Sequence, residues 1–212
     1  MNSLRIMLIM LALGFFSNAS LANESREFDF KVFLDDREIG HHRFVVSDNN
    51  NETRILSEAR FDVKFWFITA YTYLHTSHEV WQGGCLQSIQ ATTDDNGDNL
   101  FVRGENRNQS LQLQTHDGNQ PLQGCIRTFA YWNPSLLENT KLLNAQTGIL
   151  ETVSFKLIGE ASITVRGQPV TALHYQLHNP KFRIDLWYSS NRKWLALEST
   201  TESGARLRYI AM

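Results

Sequence analysis

Histidines are the residues of this chain whose type and spacing first suggest chemistry. Six of them form three close pairs: His41 with His42, His75 with His78, and His174 with His178. Strand residues one or three positions apart face opposite sides of a sheet, and residues four apart lie about 13 Å from each other. None of these pairs can therefore share a metal ion on regular strands, and we predict neither a metal site nor another cofactor.

Acid–base catalysis is the second chemistry that histidines could support. His78 precedes Glu79, so a carboxylate could orient an imidazole for proton transfer, but no nucleophile accompanies this pair. The chain has no G-x-S-x-G, H-E-x-x-H, P-loop or G-x-G-x-x-G motif. We predict no catalytic residue. A hydrolase or isomerase that uses His78, Glu79 or the amide side chains of the central segment is the weakest functional hypothesis.

The chain contains two cysteines, Cys85 and Cys125, each between a glycine and an aliphatic residue. In an oxidising compartment such a pair predicts a disulfide. Closing a loop of this length stabilises a fold by roughly 3 to 4 kcal/mol in the chain-entropy model. Two free buried thiols are the alternative. A metal pair is disfavoured because no CxxC motif or Cys/His cluster accompanies either cysteine.

Aromatic residues are numerous, with five tryptophans and thirteen phenylalanines. Filling a core is their commonest use. The functional alternative is a curled sheet that leaves an apolar cavity able to hold a lipid or another hydrophobic small molecule, with a few amides at its mouth. The residues predicted to line such a cavity are Trp66, Tyr71, Trp132, Asn133, Gln146 and Trp187.

These side chains must be positioned by strands, because most of the chain alternates apolar and polar residues with a period of two. Residues 28–34 and 39–46 predict an opening hairpin, and further extended segments follow at short intervals. Residues 134–143 instead carry leucines behind Asn133, a predicted N-cap, and Pro134. We predict an all-β fold: a curled antiparallel sheet, or an incomplete or closed β-barrel, of about eleven strands with one short helical insertion.

The first 22 residues have the layout of a cleavable export signal. Arg5 precedes an apolar stretch over residues 6–16, and small residues end at Ala22. The stretch is too short for a membrane span, which needs about 20 apolar residues. We therefore expect a signal peptide over residues 1–22, a single β domain over residues 23–212, and a periplasmic or secreted protein. The formal charge of −2 gives no electrostatic basis for binding nucleic acid.

Several segments together resemble an exported bacterial family of unknown function. They are FLDDREIG (33–40), HRF (42–44), GCL (84–86), FAYWNP (129–134) and LLNAQTG (142–148). The resemblance extends over nearly the whole chain after the signal. It implies a curled β-sheet or barrel and an exported location, and it implies no reaction.

Taken together, these observations favour a non-enzymatic periplasmic protein that binds a hydrophobic small molecule or lipid inside a curled sheet. The second hypothesis is an interaction or assembly module that presents a sheet edge or an aromatic patch to another envelope protein. An enclosed cavity would favour the first, and an exposed apolar strip would favour the second.

Overall fold

The computed structural model describes residues 24–49, 51–65, 68–201 and 204–212. The predicted signal peptide, residues 1–22, lies outside them. The described chain forms fifteen strands and one 3-10 helix, Pro134–Glu138. The strands are β1 (Glu24–Leu34), β2 (Arg37–Asn49), β3 (Glu52–Phe65), β4 (Ile68–Gln82), β5 (Cys85–Asp95), β6 (Asp98–Arg107), β7 (Ser110–Thr115), β8 (Gly118–Gln123), β9 (Lys141–Leu143), β10 (Leu150–Thr152), β11 (Ser154–Val165), β12 (Gln168–His178), β13 (Arg183–Tyr188), β14 (Trp194–Thr200) and β15 (Arg206–Ala211).

Alternating burial along each strand explains why these segments fold as a sheet. In β1, Phe28, Phe30 and Val32 are buried, whereas Lys31 between them is exposed and pairs with Glu38 across the hairpin. Exposed ion pairs of this kind contribute little to stability. Burying each large apolar side chain contributes about 2 kcal/mol, so the apolar face is what holds each strand in place.

Thirteen of the strands form one antiparallel sheet, in which β1 to β8 follow one another as neighbours and so do β11 to β15. The two series join where the last strand pairs with the first, with Phe30 opposite Ala211. Strands β8 and β11 are the two edges, so the sheet is not closed. β9 and β10 form a separate two-stranded sheet.

The register of the large sheet shifts at several irregularities. They lie at Val32/Phe33, Val63/Lys64, Val80/Trp81, Leu157/Gly159 and Trp187/Tyr188. Bulges of this kind bend a strand and increase its twist. They allow long strands to curl around a core instead of running flat.

Residues 124–153, which we call the inserted segment, connect the two edge strands and pack on the inner face of the curled sheet. Trp132 meets Trp81 of β4 with ring centroids 5.7 Å apart, and Tyr131 meets Trp194 of β14 at 5.2 Å. The main core forms between this segment and both series of strands. The inserted segment thus fills the interior that an open sheet would leave exposed.

A disulfide fastens the inserted segment to the sheet. Cys85, the first residue of β5, is bonded to Cys125, and the next residue, Leu86, donates its backbone N–H to the carbonyl oxygen of Ile126 at 2.9 Å. The predicted disulfide is therefore formed. It fixes the point at which the chain leaves the edge of the sheet and enters the interior.

The all-β class and antiparallel arrangement are as predicted, but the strand count is higher than the predicted eleven. β8 was not expected because its sequence is polar and contains Pro121, features that edge strands tolerate. The predicted helix over 134–143 is only a 3-10 helix of five residues, although Asn133 does cap it by accepting from the N–H of Ser135. Leu142 and Leu143 are buried in β9 instead of on a helix face.

Candidate ligand-binding cavity

A cavity of about 340 Å³ lies between the inner face of the sheet and the inserted segment. Strands β2, β3 and β4 form one wall, and the inserted segment forms the opposite wall. Its lining residues are His42, Phe44, Ile55, Ser57, Tyr73, His75, Ser77, Glu79, Thr128, Phe129, Ala130, Tyr131, Trp132, Asn144, Ala145, Gln146, Phe182, Ile184 and Ser199.

The wall formed by the inserted segment is mainly aromatic. Phe129, Tyr131 and Trp132 line the cavity in succession, and Phe129 contacts Phe182 with ring centroids 6.1 Å apart. The carbonyl oxygen of Tyr131 accepts a hydrogen bond from the hydroxyl of Tyr188 at 2.9 Å. This wall is therefore held in place from behind by β13 as well as by the ring contacts.

The opposite wall carries a row of polar side chains on β4. Tyr73, His75, Ser77 and Glu79 alternate along the strand, so all four face the interior, and Trp81 continues the row. His75, Ser77 and Glu79 are buried. The inward-facing positions of a strand usually carry apolar residues, because each buried polar group must find a hydrogen-bond partner.

Two histidines lie at the same level of this wall, on either side of Ala59. Ala59 is opposite His42 on one side and opposite His75 on the other. His42 Nε2 is 2.8 Å from Ser57 Oγ, and its Nδ1 is 3.3 Å from the Tyr209 hydroxyl. Burial lowers the pKa of His42 well below its usual value, and the neighbouring His75 and His41 lower it further.

His75 is held in the same way by a hydroxyl. Its Nδ1 is 2.8 Å from Thr93 Oγ1 on β5. Burial lowers the pKa of His75 to about 4. Both cavity histidines are therefore neutral at pH 7, and each can act as a hydrogen-bonding group without bringing a positive charge into the cavity.

Glu79 is the acidic residue of the cavity lining. Its Oε2 accepts from Trp81 Nε1 at 2.8 Å and from Thr128 Oγ1 at 3.1 Å, while Oε1 has a longer contact of 3.5 Å with Ser77 Oγ. Burial raises the pKa of this carboxyl, and the hydrogen bonds from Trp81, Thr128 and Ser77 partly offset that rise. All of its partners are neutral donors.

A second polar network crosses the cavity near Tyr73. The Tyr73 hydroxyl donates to Gln146 Oε1 at 3.1 Å, and Gln146 Nε2 donates to Asp95 Oδ2 at 2.9 Å. Tyr71 completes the network by donating to Asp95 Oδ1 at 2.7 Å. Burial raises the pKa of Tyr73, which therefore stays protonated. The network ties the inserted segment to β4 and β5 beside the cavity.

The residues predicted to line a pocket are distributed over several places. Trp132 and Gln146 line the cavity, and Tyr71 supports it through Asp95. Asn133 caps the 3-10 helix outside the cavity lining. Trp187 lies on the outer face of β13, stacked on His174 with ring centroids 4.8 Å apart. Trp66 lies outside the described residues.

The polar row of β4 is what the sequence interpretation missed. The available signal was the spacing of Tyr73, His75, Ser77 and Glu79 at every second position of one strand. We had instead considered His78 together with Glu79. Because neighbouring strand residues face opposite sides, His78 is exposed on the outside while Glu79 is buried in the cavity, so that pair is not formed.

The cavity is better suited to binding than to nucleophilic catalysis. Ser57 and His42 form a hydroxyl–imidazole pair, but the group at His42 Nδ1 is the hydroxyl of Tyr209 where a catalytic triad has a carboxylate. A neutral hydroxyl gives an imidazolium little charge stabilisation. In the described part of the chain, no group of three or more His, Cys, Asp or Glu residues is placed to hold a metal ion.

Comparison with known proteins agrees with this fold. A solved structure of a β-barrel-like protein from Brucella abortus, of the domain-of-unknown-function family DUF1849, superposes with a TM-score of 0.61. The two chains are 10% identical, and the match covers 88% of this chain and 94% of the other. At that identity the likeness shows the fold alone.

Among curated protein sequences no match was found. In the described ranges, no helix has the length and apolar character needed to cross a membrane.

The model of DUF6134, a domain of unknown function, matches residues 30–212, which is most of the chain. This protein therefore belongs to the DUF6134 family.

Proposed function

We propose that this protein binds a small, largely apolar molecule in the cavity between its curled sheet and its inserted segment. The observation that carries the proposal is the cavity itself, because an aromatic wall faces a wall with a few fixed polar groups. Ligand sites typically combine these two features in volumes of about 300 to 1,000 Å³. At about 340 Å³, this cavity suits one small molecule or a single alkyl chain better than a two-chain lipid.

Several contacts within the protein hold the walls of the cavity together. The disulfide, the Tyr73–Gln146–Asp95 network and the contact of Tyr131 with Tyr188 all anchor the inserted segment. A preformed site loses less conformational entropy on binding than a mobile one. This favours specific binding over loose association with apolar surfaces.

Titration calorimetry with octan-1-ol tests the proposal, using Ala145→Phe to fill the cavity. Ala145 lines the cavity, whereas Ala205, in the turn before β15, does not. We expect saturable 1:1 binding by the wild type and by the control Ala205→Phe, and at least tenfold weaker binding by Ala145→Phe. Absence of binding by the wild type, or equal binding by both variants, would refute the proposal.

We also propose that the protein works in the periplasm. The signal-like first 22 residues and the Cys85–Cys125 disulfide support this location, because disulfides persist in oxidising compartments. N-terminal sequencing of protein recovered from the periplasmic fraction should begin at Asn23. Uncleaved protein that stays with the cytoplasmic fraction would contradict this location.

An exposed sheet edge supports a second candidate function, the binding of another envelope protein. Among the described strands β11 pairs only with β12, and it carries Leu157 and Ile158, which are 53% and 47% exposed. A free edge with apolar side chains can accept a strand from a partner. Crosslinking in the envelope from position 157 should capture one defined partner, and the same crosslinker at exposed Gln112 of β7 should not. Capture of the same proteins from both positions would refute this candidate function.

A further inference from the structure

We propose that the cavity selects an apolar molecule that carries a protonated amine, with the carboxylate of Glu79 as its counter-ion. This inference rests on the proposed binding function and specifies the chemical class of the ligand.

The carboxyl group of Glu79 has no cationic partner within the described structure, since its partners Trp81, Thr128 and Ser77 are all neutral. No lysine or arginine is present among the described residues that line the cavity, and no ion pair of Glu79 is formed there. Asp95, which adjoins the cavity through Gln146, likewise accepts only from the neutral groups of Tyr71 and Gln146. A buried carboxylate without a cation is costly, so a ligand that supplies positive charge gains the interaction that the protein lacks.

The cavity histidines do not fill this role. His42 is engaged by Ser57 and Tyr209, and His75 is engaged by Thr93. Burial lowers the pKa of both imidazoles, so neither brings a positive charge to Glu79 at neutral pH. Because none of the described cavity-lining residues brings a positive charge to Glu79, we place that charge on the ligand.

Glu79 retains the capacity to accept a further hydrogen bond. Two good bonds, from Trp81 and Thr128, both end on Oε2, whereas Oε1 has only the 3.5 Å contact with Ser77. An ionised carboxylate offers about four acceptor positions on its two oxygens. Oε1 is therefore the atom to which an ammonium group would donate.

Aromatic rings line the cavity, and one of them packs on a hydrogen-bond partner of Glu79. Trp132 packs edge-on against Trp81, the residue whose indole N–H donates to Glu79. Phe44, Tyr131 and Trp132 all line the cavity. A cation over the face of such rings is attracted by their electron-rich faces, most strongly where water is excluded. A carboxylate beside aromatic rings suits an alkylammonium ion and disfavours a carboxylate ligand, which Glu79 would repel.

Three probes of the same chain length distinguish an ammonium, a neutral and a carboxylate ligand. We would titrate the wild-type protein at pH 7 and 0.15 M salt with octylamine, octan-1-ol and octanoate. We expect octylamine to bind at least tenfold more tightly than octan-1-ol, and octanoate to bind most weakly. Ala145→Phe should abolish octylamine binding, which locates the amine in the cavity and not at exposed carboxylates.

Two charge-neutralising variants complete the experiment. Glu79→Gln keeps the shape of the side chain and an acceptor for Trp81 and Thr128, and the preference for octylamine over octan-1-ol should disappear. Glu105→Gln removes one charge from an exposed position on β6, where the Glu105 side chain is 65% exposed, and should keep that preference.

The outcomes distinguish this inference from the proposed function. If all three probes bind the wild type equally, or if Glu79→Gln keeps the preference for amine, the inference is overturned and binding of apolar molecules stands. If no probe binds, both fail. Tighter binding of octanoate than of octylamine would also overturn the inference, because it would require a positive site that the cavity lining lacks.

Discussion

Buried polar residues on the inner face of β4 give this molecule its chemical character. His75 and Glu79 face the interior, where an ordinary sheet protein would place aliphatic residues, and hydroxyl or indole groups satisfy both. Each such residue contributes less to stability than an apolar residue of similar size, because burial of polar groups costs desolvation. Their positions around one cavity are what a binding site requires.

The buried imidazole of His75 predicts a dependence of stability on pH. Unfolded histidine takes up a proton below about pH 6.5, whereas folded His75, with its pKa of about 4, does not until about pH 4. The stability it contributes is therefore present above pH 6.5 and is lost as the pH falls towards 4. His75→Gln should reduce the pH slope of the unfolding free energy between pH 5.5 and 4.5 by about 1.4 kcal/mol per pH unit.

Urea denaturation of both proteins across this pH range measures the slope. Glu79 is present in both proteins, so its contribution cancels in the difference, whereas the pKa of His42 rises in His75→Gln because His75 no longer lowers it. Above pH 7 both His75 and the glutamine that replaces it are neutral. The difference in unfolding free energy between the two proteins should therefore be constant there. If the unfolding free energies of the two proteins changed in parallel from pH 7 down to pH 4.5, His75 would be protonated normally in the folded protein.

Gly148 is a position where the inserted segment packs tightly against the sheet. Its φ is +74°, and a Cβ there would lie 2.3 Å from Thr115 Cγ2 of β7. Gly167 has the similar φ of +76° with open space around it. Gly167→Ala should cost about 1 kcal/mol through backbone strain. Gly148→Ala should cost about 2 to 4 kcal/mol, because overpacking adds to that strain.

Urea denaturation at pH 7 measures the loss of unfolding free energy in Gly148→Ala and in Gly167→Ala. The difference between the two alanine variants isolates the steric term, since they share the same backbone conformation. Equal destabilisation of the two variants would mean that the inserted segment moves away from β7 without cost, and that this wall of the cavity is not fixed.

At the scale of single residues, the structure places the residues predicted to line a pocket in different locations. Trp132 and Gln146 were predicted to line a pocket and do line the cavity. Trp187 was predicted on the same grounds, but it lies on the outer face, because the register of β13 directs Leu186 and Tyr188 inward. On this strand both faces carry aromatic or aliphatic residues, so apolar character alone does not distinguish the inside from the outside.

At the scale of elements, the inserted segment organises the cavity, and the disulfide fixes where it begins. Replacing both cysteines with serine should destabilise the protein by about 4 kcal/mol, because the 40-residue separation sets the loop entropy gained by the unfolded chain. We also expect faster amide hydrogen exchange in residues 126–146 than in β12 and β13. Chemical denaturation and exchange mass spectrometry measure the two effects.

The reduced wild-type protein is the control for the serine substitutions, since it lacks the crosslink but keeps the cysteine side chains. It should show the same loss of stability and the same local increase in exchange. If exchange increased uniformly over the whole sheet, the crosslink would stabilise the fold in general and would not specifically hold the inserted segment.

The strands were easier to predict than the inserted segment. Strict alternation and short polar turns fix strands such as β1 and β2, because one face must be buried. Residues 134–143 carry leucines at helical spacing, but the segment is held by non-local contacts, including the bridge between Thr128 and Leu143. Tertiary contacts override a weak local helical preference, and they are not visible in the local pattern.

At the scale of the whole molecule, an open sheet and an inner segment replace a closed barrel. Pairing of β15 with β1 brings both ends of the described chain to the middle of the sheet, and the inserted segment covers the inner face between the free edges. The curled antiparallel architecture followed from the sequence. Whether the barrel closes could not be predicted from the sequence. Closure depends on the pairing of β8 with β11, and the sequences of these two segments carry no pairing signal.

The most direct test of the account is native mass spectrometry of the protein purified from its own envelope, followed by organic extraction. We predict a stoichiometric adduct on a chain that is two hydrogens lighter than the reduced form, and release of an apolar molecule, with the adduct absent from the Ala145→Phe variant. A bare chain in every preparation, or an adduct that Ala145→Phe retains in full, would contradict the claim that this cavity holds a ligand.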